Sequence, residues 1–298
     1  MNLDVVTMDP ALLLEPFRYG FMVRAFTVAV VTAIVCGLLS CWLVLVGWSL
    51  LGDAVSHAVL PGVVLAYIAG APFALGALVF GIVAVALIGA VRDTSRIKED
   101  AAIGIVFTTL FALGLVLVSV TPSQIDLGHI VFGNVLGVST SDLVQVLVLS
   151  AIVFVVLVAG RRAFTLFAFD PAHAHAIGMR PRVISAVLLA SLAVTAVAAL
   201  QSVGVVLVVA MLVIPGATAH LWTDRFGRMM IVAPTVSALS AAVGVYISYF
   251  ADTASGATIV LVLGGVFAVS YLFAPRHGLL GRVTHRRRPG RAQRAAAT

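Results

Sequence analysis

The sequence predicts an all-α polytopic membrane protein, on three observations. Of 298 residues, 62% are apolar and only 10% charged, with a mean hydropathy of +1.17. A soluble domain averages about 45–50% apolar and about 25% charged, so this chain lacks the polar surface to coat a globule in water. The apolar residues run in long unbroken stretches rather than the short alternating segments of a membrane β-barrel. The charges, finally, gather in bursts between those stretches. With 26 Gly, 11 Pro and two Cys, collagen-like, disordered and disulfide-stapled classes are excluded as well.

Taken in order, residues 1–20 carry Asp4, Asp9, Glu15 and Arg18 among Leu and Phe. They lack the basic start and compact apolar centre of a cleaved signal peptide, and read as an interfacial segment. Residues 21–275 form the transmembrane domain. Between Ala25 and Val91 the only charged residue is Asp53. As one helix that stretch would measure about 100 Å, some three times the hydrocarbon thickness of about 30 Å. It is expected to hold three spans, broken at Gly52, Pro61-Gly62 and Gly70-Ala71-Pro72. Further charge bursts follow at RDTSRIKED (92–100), Arg161-Arg162, Arg180 with Arg182, and Asp224-Arg225 with Arg228. Pairs of crossings between them bring the total to about nine spans.

Lys and Arg mark cytoplasmic loops, and the intervening turns at 121–142, 201–204 and 251–256 contain neither. The C-terminus is therefore expected in the cytoplasm and, with nine spans, the N-terminus outside. Arg18 and Arg24 argue for the alternative of eight. The tail, residues 276–298, holds most of the net charge of +6. It reads as a basic cytoplasmic extension against anionic lipid, with the bilayer and not nucleic acid as its partner.

Asp53 is the residue that composition does not explain, because a charge within a membrane helix costs about 2.5–3.5 kcal/mol even on the lenient insertion scale. His57 follows four positions later in LGDAVSHAVLPG, so both side chains share a helix face. A carboxylate and an imidazole are ligands suited to manganese, iron(II) or zinc, and Ser56 adds a weaker oxygen. The same ingredients also fit a buried pair that fixes packing, or a proton relay. Pro61-Gly62 is expected to unwind the helix against a cavity.

Other histidines fall in loops (His129, His173, His175), in the tail (His277, His285), or at the inner end of a span (His220). Cys36 and Cys41 match no metal or redox spacing and read as packing residues. The chain contains no GxxxxGK[ST] phosphate loop and no hydrolase triad motif. It is thus expected not to be an enzyme, and any ATP hydrolysis belongs to another subunit. HAVLPG and MLVIPG echo one another in segments of opposite direction, as in an inverted repeat. In FDPAHAHAIGMRPR (169–182), Asp170 suits an N-cap, Pro171 the first helical position and Gly178 the end of a short cytoplasmic helix.

GDAVSHAVLPGVVLAY, SRIKEDAAIGIVF, HIVFGNVLGVSTSDL, FDPAHAHAIG and GVVLVVAMLVIPGATAHLWTDRFGRM occur in this order. The chain thereby resembles the ABC-type manganese, iron and zinc permease family from about residue 24 to 275. The resemblance implies a type II importer-like helical fold. It also implies a homodimeric permease of the bacterial cytoplasmic membrane, a cytoplasmic ABC ATPase and an extracytoplasmic metal-binding protein.

Asp53 and His57 fall on the family's metal-coordinating Asp-x-x-x-His, and Phe169, Asp170, Pro171, Ala176 and Gly178 on a segment similar to its coupling helix. SHAVLPGV and FGNVLGVS resemble manganese and iron members more than the zinc branch. The implied cargo is a divalent ion, manganese first, with no permanently bound cofactor. Two features depart from the pattern: VGWSLLGDA lacks the Arg common before GDA, and His220 replaces a residue usually small, apolar, aromatic or Arg. Two other readings are a proton-coupled secondary transporter using the same pair and a membrane anchor with His57 and His220 as cofactor ligands.

Overall fold

A computed structural model describes residues 15–121, 137–203, 205–274 and 278–279, and among these all regular structure is helical. Most of the expected interfacial segment and tail lie outside the described residues, as do His129, His277 and His285. Of the former only a single 3-10 turn, Glu15–Arg18, is described. The helices are α1 (Gly20–Val46), α2 (Ser49–Ala58), α3 (Leu60–Ile68), α4 (Phe73–Thr94), α5 (Glu99–Val120), α6 (Thr140–Ala159), α7 (Arg161–Phe169), α8 (Pro171–Ala176), α9 (Pro181–Val203), α10 (Val205–Trp222), α11 (Phe226–Ala251) and α12 (Ser255–Phe273).

Eight segments, counting α2 and α3 together, are long and apolar enough to cross a membrane, and α10 contributes a shorter apolar stretch, Leu207–Trp222. Contacts at the two ends of the bundle fix how they alternate. Near the start of α1, the Arg24 guanidinium donates from Nε to the Val138 carbonyl (3.2 Å), and Tyr19 lies 6.4 Å from Tyr249 near the end of α11. At the other end, Trp42 packs on Phe164 of α7 (5.8 Å) and on Phe226 at the start of α11 (5.5 Å). α10 connects the far end of α9 to Phe226, and its 18 residues reach about 27 Å, so it traverses the bundle. Nine passes through the bundle among the described residues result, eight of them by helices long enough to span a membrane. Arg24 is thus occupied in tying α1 to the segment that enters α6.

The three-span division of residues 25–91 holds, but two of its three expected breaks do not. The first boundary is Gly47, whose φ of +85° places it in the left-handed region where a helix ends and glycine is favoured. Gly52 instead lies inside α2 against α10, where an added Cβ would come within 2.9 Å of Leu212. At Pro61-Gly62 the chain kinks without unwinding: only Val59 separates α2 from α3, with αR dihedrals, and its carbonyl accepts from the Val63 N–H at 3.1 Å. Pro61 is tolerated because it falls in the first turn, where its missing N–H is not needed. A Cβ at Gly62 would collide with the Gly76 carbonyl of α4, and one at Gly76 with the Gly62 carbonyl. The glycines therefore serve close helix approach, which in lipid replaces the hydrophobic effect as the source of association.

α1 is the central helix, packed by α6, α9, α10 and α11. Its buried positions are rich in small residues: Ala25, Ala29, Ala33, Cys36, Gly37, Ser40 and Cys41. Both cysteines are free and buried, as their packing role requires. The second Pro-Gly step, Pro215-Gly216 in α10, is stitched to this helix. The Gly216 N–H donates to Ser40 Oγ (2.9 Å), whose hydroxyl lies 3.3 Å from the Val213 carbonyl it donates to. The two echoed motifs thus share a use, a glycine held against a neighbouring backbone.

Candidate metal site

The site is built from α2 outward. Four residues of helix bring Asp53 Oδ1 to 3.4 Å from His57 Nε2. Gly52, Ala54, Val55 and Ser56 around them are buried, yet the Asp53 side chain is 43% exposed and that of His57 28%. The pair opens into a cleft of about 540 Å³, bounded by Ser49 and Leu50 of α2 and by Val209, Ala210, Val213 and Ile214 of α10. Apart from Ser49 and the pair itself, these walls are apolar, so an ion entering finds a carboxylate and an imidazole as its strongest donors.

α5 supplies the other support. Phe107 and Phe111, four apart on its surface, set their rings 5.5 and 5.2 Å from the imidazole, the second edge-on at 75°. Leu60 fills the surface above Gly114 of the same helix, where a Cβ would come within 2.9 Å. The imidazole is thereby held between an aromatic wall and the carboxylate. Ser56 does not join the pair, because its buried hydroxyl donates to the Gly52 carbonyl at 2.7 Å. Among the described residues no group of three His, Cys, Asp or Glu gathers anywhere. His220 is exposed at the end of α10, away from the cleft-lining residues.

The short helix expected between Asp170 and Gly178 is present as α8, Pro171–Ala176. Asp170 Oδ1 accepts from the His173 N–H at 2.8 Å, and Pro171 occupies the first turn. Gly178, with φ +86°, closes it: the Met179 N–H reaches the Ala174 carbonyl (3.0 Å) and the Gly178 N–H that of His175 (3.0 Å), the paired bonds of a Schellman end. Ala176 ends the helix, and Phe169 just before it is 63% exposed with its ring 6.3 Å from Phe226.

α7 connects this loop to the pair. Its buried Phe164 packs on Trp42, and the Trp42 indole N–H donates to Thr165 Oγ1 at 3.3 Å. Phe167, one turn on, lies 6.1 Å from Trp48, the residue that precedes α2. Trp42 and Trp48 are both buried. Sequence reasoning missed this aromatic clasp and the Phe107–Phe111 wall. The spacing of each pair was visible, but nothing in the chain said which helix they would face.

The sequence pattern of the ABC 3 transport family matches residues 18–274. The chain is 49% identical over 275 residues, 92% of its length and 90% of the relative's, to the manganese transport system membrane protein MntB of Synechocystis. It is 48% identical over 262 residues, 88% of its length and 97% of the relative's, to a Haemophilus influenzae protein described as a probable iron transport system membrane protein. The solved structure of PsaBC from Streptococcus pneumoniae in complex with Fab superposes with a TM-score of 0.83 at 36% identity. That match covers 92% of this chain and 99% of that one.

Proposed function

The chain belongs to the ABC 3 transport family, and we propose that it is the membrane permease subunit of an ATP-driven importer of divalent transition-metal ions, manganese first and iron(II) or zinc next. The observation that carries the reading is the Asp53–His57 pair, 3.4 Å apart on a helix face that opens into an apolar-walled cleft inside the bundle. A carboxylate with a neutral imidazole suits these ions. Weak, transient coordination suits passage, because a site that binds too tightly cannot release.

One chain offers two such ligands, and a first-row divalent ion takes four or more. A second copy placed across the exposed face of α2 would supply two more, which supports a homodimer in the bacterial cytoplasmic membrane. With no nucleotide-binding motif in this chain, a separate cytoplasmic ATPase supplies the energy and docks at residues 169–178. An extracytoplasmic metal-binding protein delivers the ion at the opposite face. The C-terminus and the basic clusters then lie in the cytoplasm, following the distribution of Lys and Arg.

The test is manganese uptake into proteoliposomes holding this chain, its ATPase and its binding protein. Asp53→Ala and His57→Ala should each abolish uptake while leaving assembly intact. Undiminished uptake in both would make the pair structural, and uptake by the chain alone, without the ATPase, would make it a secondary transporter.

A further inference from the structure

A groove of about 480 Å³ lies between α7 and the first turns of α11, lined by Arg161, Arg162, Leu166, Phe169, Gly227 and Met230 among others. Its position follows from the chain: only Gly160 separates the end of α6 from the start of α7, and α11 begins at Phe226, so the groove sits at the ends of two membrane-length helices. α7 is amphipathic, burying Phe164 and leaving Arg161 and Arg162 exposed. No carboxylate lines the groove, and among the described residues neither arginine has an ion-pair partner. Two unneutralised guanidiniums therefore line an apolar trough beside the ends of two apolar membrane-length helices.

We propose that this groove binds an anionic membrane phospholipid, its phosphate held by Arg161 and Arg162 and an acyl chain lying along Leu166, Phe169 and Met230. Charge complementarity selects the occupant. Basic pockets between transmembrane helices take anionic headgroups, a guanidinium makes paired hydrogen bonds to phosphate oxygens, and the apolar walls match hydrocarbon. The chain's own tail is a poor competitor, because its arginines would meet arginines of the same sign. The site is distinct from the Asp53–His57 cleft, and nothing in it depends on which ion is carried. Since Phe169 also borders the loop at 169–178, a bound lipid would underlie that loop and stabilise α7 against α11.

The experiment uses the full chain in detergent, incubated with phosphatidylglycerol or phosphatidylcholine and read by native mass spectrometry. Phosphatidylglycerol should be retained in preference to phosphatidylcholine. Replacing both arginines (R161Q/R162Q) should weaken that retention roughly 30-fold, about fivefold for each charge lost near the surface. R180Q/R182Q, an arginine pair at the start of α9 outside the groove, should keep it, and an unchanged thermal transition in R161Q/R162Q would show that it still folds. Equal retention in R161Q/R162Q and wild type would overturn the proposal, as would an equal loss in R180Q/R182Q. Gly227→Cys adds a local reporter, since a Cβ there meets nothing within 4 Å. Its thiol labelling should slow with phosphatidylglycerol, whereas slowing by the ATPase alone would make the groove a protein surface and refute the lipid.

Discussion

Replacing Phe167 by Leu tests whether α7 drives the helix that carries Asp53 and His57. The ring sits 6.1 Å from that of Trp48 at 54°, an arrangement worth about 0.5–1.5 kcal/mol beyond its buried area. Leu keeps most of the volume and so avoids the cavity that Ala would leave, which in a core costs about 3–5 kcal/mol for an aromatic residue. Trp48 is buried, and Asp53 follows it by five residues, about 7.5 Å along α2. Displacement of α7 by the loop at 169–178 would therefore reach the carboxylate through one ring contact and less than two turns of helix.

A double-mutant cycle of Phe167→Leu with Trp48→Leu, read by thermal unfolding in detergent, should return a coupling within about 0.5–1.5 kcal/mol. In proteoliposomes Phe167→Leu should preserve ATPase binding and ATP hydrolysis while lowering manganese moved per ATP. If uptake and hydrolysis fell in strict proportion, or if neither fell, the contact would be packing alone and the transmission argument would fail.

Three further predictions concern helix packing, the α8 cap and the topology. Gly62→Ala and Gly76→Ala should each destabilise the protein by about 1–3 kcal/mol or more, since the new methyl meets a facing carbonyl. Gly89→Ala in the same helix as Gly76 meets open space and should be neutral or stabilising by up to about 1 kcal/mol; thermal transitions of the three variants decide. Asp170→Ala removes the cap on α8 and should weaken co-purification with the ATPase, with a local cost of about 0.5–2 kcal/mol, while Asp170→Asn, which also caps, should restore it. Cysteines placed at the exposed Asp252 and Arg96 should react with an impermeant thiol reagent from outside and inside the cell respectively, against a low background because Cys36 and Cys41 are buried. Labelling of both from one side would refute the nine-crossing topology.

The parts of this molecule legible in the sequence are those where a residue violates its surroundings. Asp53 was visible because it interrupts an apolar run, and His57 because helical spacing ties it to Asp53. α8 was visible because an Asp-Pro start and a glycine stop are local chemistry that owes little to tertiary contacts. The partners of the pair were not, because α5 and α10 are apolar on every side, as lipid and protein neighbours both demand. No hydrophobic face then marks Phe107, Phe111 or Val213 as lining anything. Glycine was ambiguous for a related reason: Gly47 and Gly52 read alike until their neighbours are known, yet one ends a helix at φ +85° and the other admits Leu212.

The uncharged turn before GDA follows from the same packing. Gly47 closes α1, the Trp48 N–H returns to the Leu43 carbonyl at 2.8 Å, and the Trp48 ring is buried against Phe167. A guanidinium at the buried Trp48 position would have to shed water without a carboxylate beside it, a penalty of several kcal/mol. The indole fills the same space with apolar contact. The turn therefore needs no charge to hold its place at the surface, because α7 holds it there through two tryptophans. The consequence is mechanical: Trp42 and Trp48 put α1 and the start of α2 in direct contact with α7, so a displacement of the loop at 169–178 would reach the helix that presents Asp53 and His57 through those rings.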